Sequence, residues 1–441
     1  MKNVLSGKIL FIVFVVLAGI SIVYFYFPPS AHFASSPHSD VVKIYYADNI
    51  STAHQTIIDR FNALNKGKIE VVPINLPFSK FSTNERKELL ARALRSKNSK
   101  LDIFAVDLIW VPRFAKWAEP FPHNFAQRHG IEFLNSAMES CFYDGKLVAL
   151  PLYMDVGLMY YQRNLLRTLM SDDPTIERRI KQSITWQELV AIGKKLRNNP
   201  HPVYLYPGDN FEGLVCSFME LILSQNRDFF NETPIELNTP ESRKALQMLV
   251  DLIHEYHLTP YIVTNFDGYR TDIYALENDV LFWRSWPGAL VQFKHLPAFK
   301  AKLRDVEVAA VPHFAGGVPV SIFGGWNLMI SNHSKHKKEA LAFLLFCLNE
   351  QVQMTMYEQG GYLPVLNDVY MDSTHIRKYP EMTELYRLLQ NGVHRPYRED
   401  YTKWSDVISY YVQQAIKKQI SVDEALDTAT EIINSKKVLV R

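Results

Sequence analysis

The sequence predicts an α/β protein whose chain forms two α/β lobes discontinuously, with a ligand cleft between them. Three observations carry this expectation. The chain has 441 residues, more than one core usually serves, so two large lobes are expected. Short apolar runs alternate with helix-period stretches in the first hundred or so residues after position 40, the pattern of βαβ units around a mostly parallel sheet. Beyond position 150 longer helices take over, and strand-like runs return only after position 280.

The first forty residues stand apart from the globular pattern. Lys2 and Lys8 precede an uncharged run from Ile9 to Phe27, long enough as a helix to span a bilayer. It ends in Tyr24, Phe25, Tyr26 and Phe27, aromatic residues suited to a membrane interface. We read this segment as an uncleaved membrane anchor, with a signal peptide cut after Ser36 as the alternative. Both place the remaining chain outside the cytoplasmic membrane, periplasmic or extracellular. Residues 28–39, rich in Pro, Ser, Ala and His, read as a tether.

Globular sequence starts at Val41. The spacing predicts a strand over 41–46, a helix over 52–64, a strand over 69–74, a helix over 84–96 and a strand over 101–106. Helices follow at about 185–196, 210–223 and 239–256, strands at 280–283 and 306–311, and a mostly helical tail from Lys335. The lobes are expected to take 41–152 with 283–323, and 153–282 with 324–441. Crossovers between them fall near 152–156, 281–285 and 323–326.

Composition narrows the function. Lys and Arg total 48 against 46 for Asp and Glu, a balance that does not favour nucleic acid or another polyanion. Cys141, Cys216 and Cys347 form no C-x-x-C pair and sit among apolar neighbours, as buried small hydrophobes do. There is no G-x-S-x-G, Walker loop, H-E-x-x-H or G-x-G-x-x-G. His254 and His257 lack a third ligand nearby and are expected to be polar residues at the surface. The sequence therefore implies no metal, no cofactor and no enzyme signature.

What the chain has in quantity is aromatic residues, 13% of the total. Several stand beside acids or bases near the C-terminal ends of expected strands, where open α/β sheets bind ligands. They are Asp107 with Trp110, Tyr153 with Asp155, Glu212 after Phe211, Trp283 and Trp286 flanking Arg284, and Gly325 with Trp326. Sugars are held by aromatic faces against their C–H surfaces and by polar groups on their hydroxyls, so clusters of this kind suit a carbohydrate. Singly, each residue is more often core or surface; together they are expected to converge on one cleft.

The segment Asp144-Gly145-Lys146-Leu147-Val148-Ala149-Leu150-Pro151, followed by Tyr153 to Tyr161, resembles the first crossover of the carbohydrate-binding proteins of ATP-binding-cassette importers. Further matches follow in order: 185–189, 211–214, 284–287, 324–328, 338–344, and Arg395-Pro396. The likeness covers nearly everything from Val41 to about Ser435 and is strongest to trehalose- and maltose-binding members. It implies a periplasmic binding protein type 2-like fold and a monomer that carries a small di- or oligosaccharide to separate permease subunits. By this resemblance Asp107, Tyr153, Asp155, Trp286, Gly325, Trp326 and Arg395 lie in the sugar cleft. The first strand departs from the family, ending Ala47-Asp48-Asn49-Ile50 instead of in a Gly-rich turn. Two alternatives remain at this point: a secreted glycoside hydrolase using two carboxylates among Asp107, Asp155 and Glu212, and a ligand-reporting subunit for a membrane sensor.

Overall fold

Strand β1 (Val42–Asp48) opens a six-stranded sheet, in which Ile44, Tyr46 and Ala47 are buried and the backbone pairs with a strand on each side. The computed structural model describes residues 41–77, 80–81, 83–96, 100–196, 201–231 and 234–435. The expected anchor or signal segment lies outside the described residues. Among those described, no helix is long and apolar enough to cross a membrane.

β1 pairs in parallel with β2 (Ile69–Asn75) and β3 (Leu101–Asp107). Helix α1 (Thr52–Leu64) connects the first two; Ser51 caps it, and its buried face is Ala53, His54, Ile57, Ile58 and Phe61. Helix α2 (Thr83–Arg95) precedes β3 and packs on it. This is the βαβ pattern the sequence predicts.

Past β3, β4 (Leu150–Val156) ends at Gly157, and β5 (Leu158–Gln162) begins a different, four-stranded sheet. That second sheet also holds β6 (Tyr204–Leu205), β7 (Phe282–Ser285) and β8 (Val306–Ala309), in the order β8-β5-β7-β6. The chain then returns to the first sheet as β9 (Ser321–Ile330), inserted antiparallel between β3 and β4. The two-residue β10 (Gly392–Val393) completes that sheet beside β9.

Strand pairing therefore divides the chain differently from the sequence-based boundaries. The segments 282–285 and 306–309 join the second sheet, and 321–330 joins the first, the reverse of the expected assignment of 283–323 and 324–441. Only the first crossing falls close to its expected place, at Gly157. Hydrogen-bonded partners decide sheet membership, and a one-dimensional run of apolar residues does not encode them.

Helix α3 (Trp186–Lys195) starts with a full capping box, Thr185 and Glu188 bonding each other's backbone amides. Helices α4 (Glu212–Leu223) and α5 (Pro240–His254) pack with the C-terminal pair α8 (Tyr401–Ile416) and α9 (Val422–Asn434). Between them in sequence, α6 (Lys337–Cys347) lies on β1, β3 and β9, and α7 (Glu350–Gly360) lies on α1. The three cysteines are free and buried, as their apolar neighbours suggest.

Candidate functional site

The register of β9 assembles the site. All ten of its residues are buried. Trp326 stands opposite Asp107 of β3 on one side and Tyr153 of β4 on the other, while Gly324 stands opposite Asp155. Directly opposed residues share a face of the sheet, so these side chains emerge together. Both glycines are sterically required. At Gly325 (φ +131°) a Cβ would lie 2.5 Å from the Tyr153 carbonyl oxygen, and at Gly324 it would lie 2.9 Å from the Trp286 ring and 3.2 Å from the Asp155 Cβ. The half-buried indole of Trp286, just past β7, thus rests on Gly324 beside Asp155.

Arg395 closes the cluster from another part of the chain. Its Nη2 is 2.6 Å from Asp107 Oδ1, and its Nη1 is 2.8 Å from Glu212 Oε1. Glu212, the first residue of α4, also accepts from Tyr401 Oη at 2.5 Å and from Ser405 Oγ. Asp107 accepts from the Ile109 amide at 3.1 Å. Burial raises the Asp107 carboxyl above its ordinary range, and Arg395 opposes that shift.

Asp155 is the exception among these acids. Its Oδ1 is buried without a hydrogen-bond partner. Burial, with the Asp107 charge adding, pushes its carboxyl well above the usual range against the pull of Arg284. A buried oxygen left unpaired costs about 1–3 kcal/mol, so a ligand hydroxyl placed there would gain that much.

A second group adjoins the first and was not legible in sequence. Asp48, at the C-terminal end of β1, accepts from Tyr46 Oη at 2.5 Å and lies 3.3 Å from both Arg86 Nη2 and His54 Nε2. Burial alone would raise the Asp48 carboxyl, but His54 and Arg86 hold it below the usual range. The Arg86 guanidinium lies 4.3 Å over the Trp326 ring, a cation–π contact. Tyr153 packs on Tyr362 with ring centroids 4.3 Å apart, and His54 meets both tyrosines edge-on. The strand-end position of Asp48 was the available signal; Arg86 and Tyr362 carried none.

Three of the expected residues sit behind the cluster instead of on its face. Trp110 is buried edge-on against Trp326, with centroids 5.6 Å apart. Trp283 is core, its Nε1 donating to Asp272 at 3.1 Å and its ring stacked on Tyr160. Arg284 is 1% exposed and binds Glu220 through two nitrogens, at 2.8 and 3.2 Å. Asp107, Tyr153, Asp155, Glu212, Trp286, Gly325, Trp326 and Arg395 do come together. The arrangement offers aromatic faces, acceptor carboxylates and one fork of donors. An open cavity of about 490 Å³ reaches the cluster's edge, lined in part by Phe323, His394, Arg395 and Tyr397. Among the described residues one potential metal cluster, Glu350, Asp372 and His375, lies at the exposed surface, with its groups in a helix cap and an ion pair.

Comparison with known proteins agrees with this fold. A family model described as bacterial extracellular solute-binding protein matches residues 46–354. A probable ABC transporter-binding protein of Deinococcus radiodurans is 26% identical over 357 residues, 78% of this chain and 82% of that one. Maltose-bound MalE3 of T. maritima superposes with a TM-score of 0.78 at 28% identity, over 89% of this chain and 99% of that one. A cyclic alpha-maltosyl-1,6-maltose binding protein from Arthrobacter globiformis, 24% identical, superposes with a TM-score of 0.69 over 89% and 98% of the two chains. The two-sheet architecture is thus the two-lobe, type 2 periplasmic binding protein fold.

Proposed function

Because this chain belongs to the bacterial extracellular solute-binding protein family, we propose that it holds a small carbohydrate of one to a few rings in the Asp107–Trp326 cluster. It then delivers that sugar to the permease of an ATP-binding-cassette importer. Family membership implies a place outside the cytoplasm. The observation that carries the sugar reading is the register of β9, which sets an indole, a tyrosine and two carboxylates on one sheet face with Trp286 leaning over them. Support comes from the relative described as an ABC transporter-binding protein and from the structural neighbour bound to maltose.

In this reading Trp286 and Trp326 stack on pyranose faces, and Asp155 Oδ1 accepts a hydroxyl that supplies its missing hydrogen bond. Asp107 and Glu212 are fixed as acceptors by Arg395. Lobes hinged near Gly157 and in the stretches 310–320 and 394–400 close over the sugar, because the closed form gains contacts with it. A hydrolase reading fits less well, since a glycosidase needs two carboxyl groups free to flank the scissile bond. Asp107 and Glu212 are both engaged by the Arg395 guanidinium.

Calorimetric titration of the full chain with maltose, trehalose and longer maltodextrins tests the proposal. Heat of binding should be present in the wild type and lost or weakened at least tenfold in Asp155→Ala and Trp286→Ala. Unchanged binding in both variants removes this cluster from the site, and turnover of chromogenic glycosides would move the protein into the enzyme class.

A further inference from the structure

Arg284 is a charged side chain buried where a hydrophobic one would serve the packing. Its guanidinium is 1% exposed, and its partner Glu220 is 3% exposed. Desolvating such a pair costs several kcal/mol, and replacing one by apolar residues is often neutral or stabilising. Stability alone therefore does not account for it, and its surroundings do.

A connected set of contacts runs outward from the pair. The guanidinium carbon of Arg284 sits 3.9 Å from the centroid of the Trp286 ring. Glu220 Oε1 accepts the Ile322 amide of β9 at 3.1 Å, so a carboxylate on α4 is tied to the first sheet. The Ile322 carbonyl in turn accepts the Gly157 amide at 3.0 Å, at the first crossing between the sheets. A Cβ at Gly157 would fall 2.0 Å from Glu220 Oε1 and 2.7 Å from Arg284 Nη2, so the crossing backbone runs directly against the ion pair.

Trp286 lies just beyond the last paired residue of β7, Ser285. Its backbone is held by Tyr160 Oη donating to its carbonyl at 3.0 Å, and one ring edge rests over Gly324. The cation beneath the ring bears directly on its plane. A flat π face over a guanidinium is a favoured geometry, and its gain grows when both groups leave water.

We propose that Arg284 is a positioning residue for Trp286: clamped by Glu220 beneath the Gly157 crossing, it holds the indole in the plane that stacks on the sugar. The inference rests on the sugar-site reading of the Asp155–Trp286 cluster. It also links site and joint, since a shift of the crossing relative to α4 must break the Ile322–Glu220 bond or carry Arg284 with it.

The test uses the full chain with Arg284→Met, Arg284→Lys, Trp286→Ala and the double substitution of Arg284→Met with Trp286→Ala. Tryptophan circular dichroism in the near ultraviolet reads ring orientation without any ligand, and calorimetry with maltose reads binding. Arg284→Met should change the near-ultraviolet signal and weaken maltose binding on the order of tenfold. Both effects should vanish when Trp286 is already alanine, and Arg284→Lys, which keeps the charge, should recover part of each. Equal losses on both backgrounds, or an unchanged spectrum in a folded Arg284→Met protein, would overturn the proposal. If Arg284→Met does not fold, Arg284→Lys against Trp286→Ala carries the same cycle. A wild type that binds none of maltose, trehalose and longer maltodextrins fails the sugar reading, while the spectral cycle still decides the positioning role.

Discussion

Replacing Arg395 by methionine keeps most of the side-chain volume and removes the one cation that joins Asp107 to Glu212. The guanidinium is 2% exposed, and its partners are 13% and 18% exposed, so water cannot take its place without opening the cluster. Removing one member of a buried pair costs about 3–5 kcal/mol; the residual exposure of the carboxylates puts this case near the lower figure. The loss should depend on pH. Burial already raises the Asp107 carboxyl and Arg395 holds that rise in check, so the variant's Asp107 takes up a proton more readily when folded than when unfolded. Its stability then falls as pH rises, and the gap to wild type is widest near neutrality and narrows on acidification. Urea denaturation of both proteins at about pH 7.5 and about pH 5 measures this. A loss below about 1 kcal/mol, or one that grows in acid, refutes the reasoning.

Gly325→Ala places a Cβ 2.5 Å from the Tyr153 carbonyl at a φ of +131°; denaturant melts should show a loss of about 1–3 kcal/mol or more, and a neutral result would mean the β9–β4 register is wrong. Asp272, buried beneath Trp283, is pushed up to about 7. A raised carboxyl favours the protonated folded state, so this group's contribution is lost as pH rises from about 4 to about 7. Asp272→Asn should therefore gain stability relative to wild type on going from about pH 5 to about pH 8, and a pH-independent difference contradicts it. His394 is lowered to about 4 by burial, and a depressed histidine loses stability as pH falls from about 6.5 toward that value. Thermal melts of His394→Gln should show a flatter acid limb than wild type; an equally steep one assigns that limb to other groups.

The first sheet was legible because β1, β2 and β3 are separated by helices with clear apolar faces, and each element begins within a residue or two of its expected place. The lobes were harder to assign. From Leu150 to Tyr161 the chain reads as one apolar stretch broken only by Asp155 and Gly157, and the change of sheet there is dictated by pairing with β9 and β7. The stretch 323–326 was expected as a crossover between lobes, whereas Gly324 and Gly325 lie inside a strand, without side chains so that Trp286 and the Tyr153 backbone can approach. Asp107, Tyr153, Asp155 and Trp326 were found as aromatic residues and acids at strand ends, which is a local signal. Arg395 emerged only through family likeness, because its partners lie 288 and 183 residues away in sequence. Arg284 shows the converse limit: its chemistry suggested ligand contact, and only the position of Glu220 turned it inward.

A crystal structure of the full chain grown with maltose interrogates the site itself. The account predicts a pyranose ring in van der Waals contact with the Trp286 and Trp326 faces and a sugar hydroxyl donating to Asp155 Oδ1. Sugar density elsewhere, with Asp155 Oδ1 still lacking a partner, would contradict it.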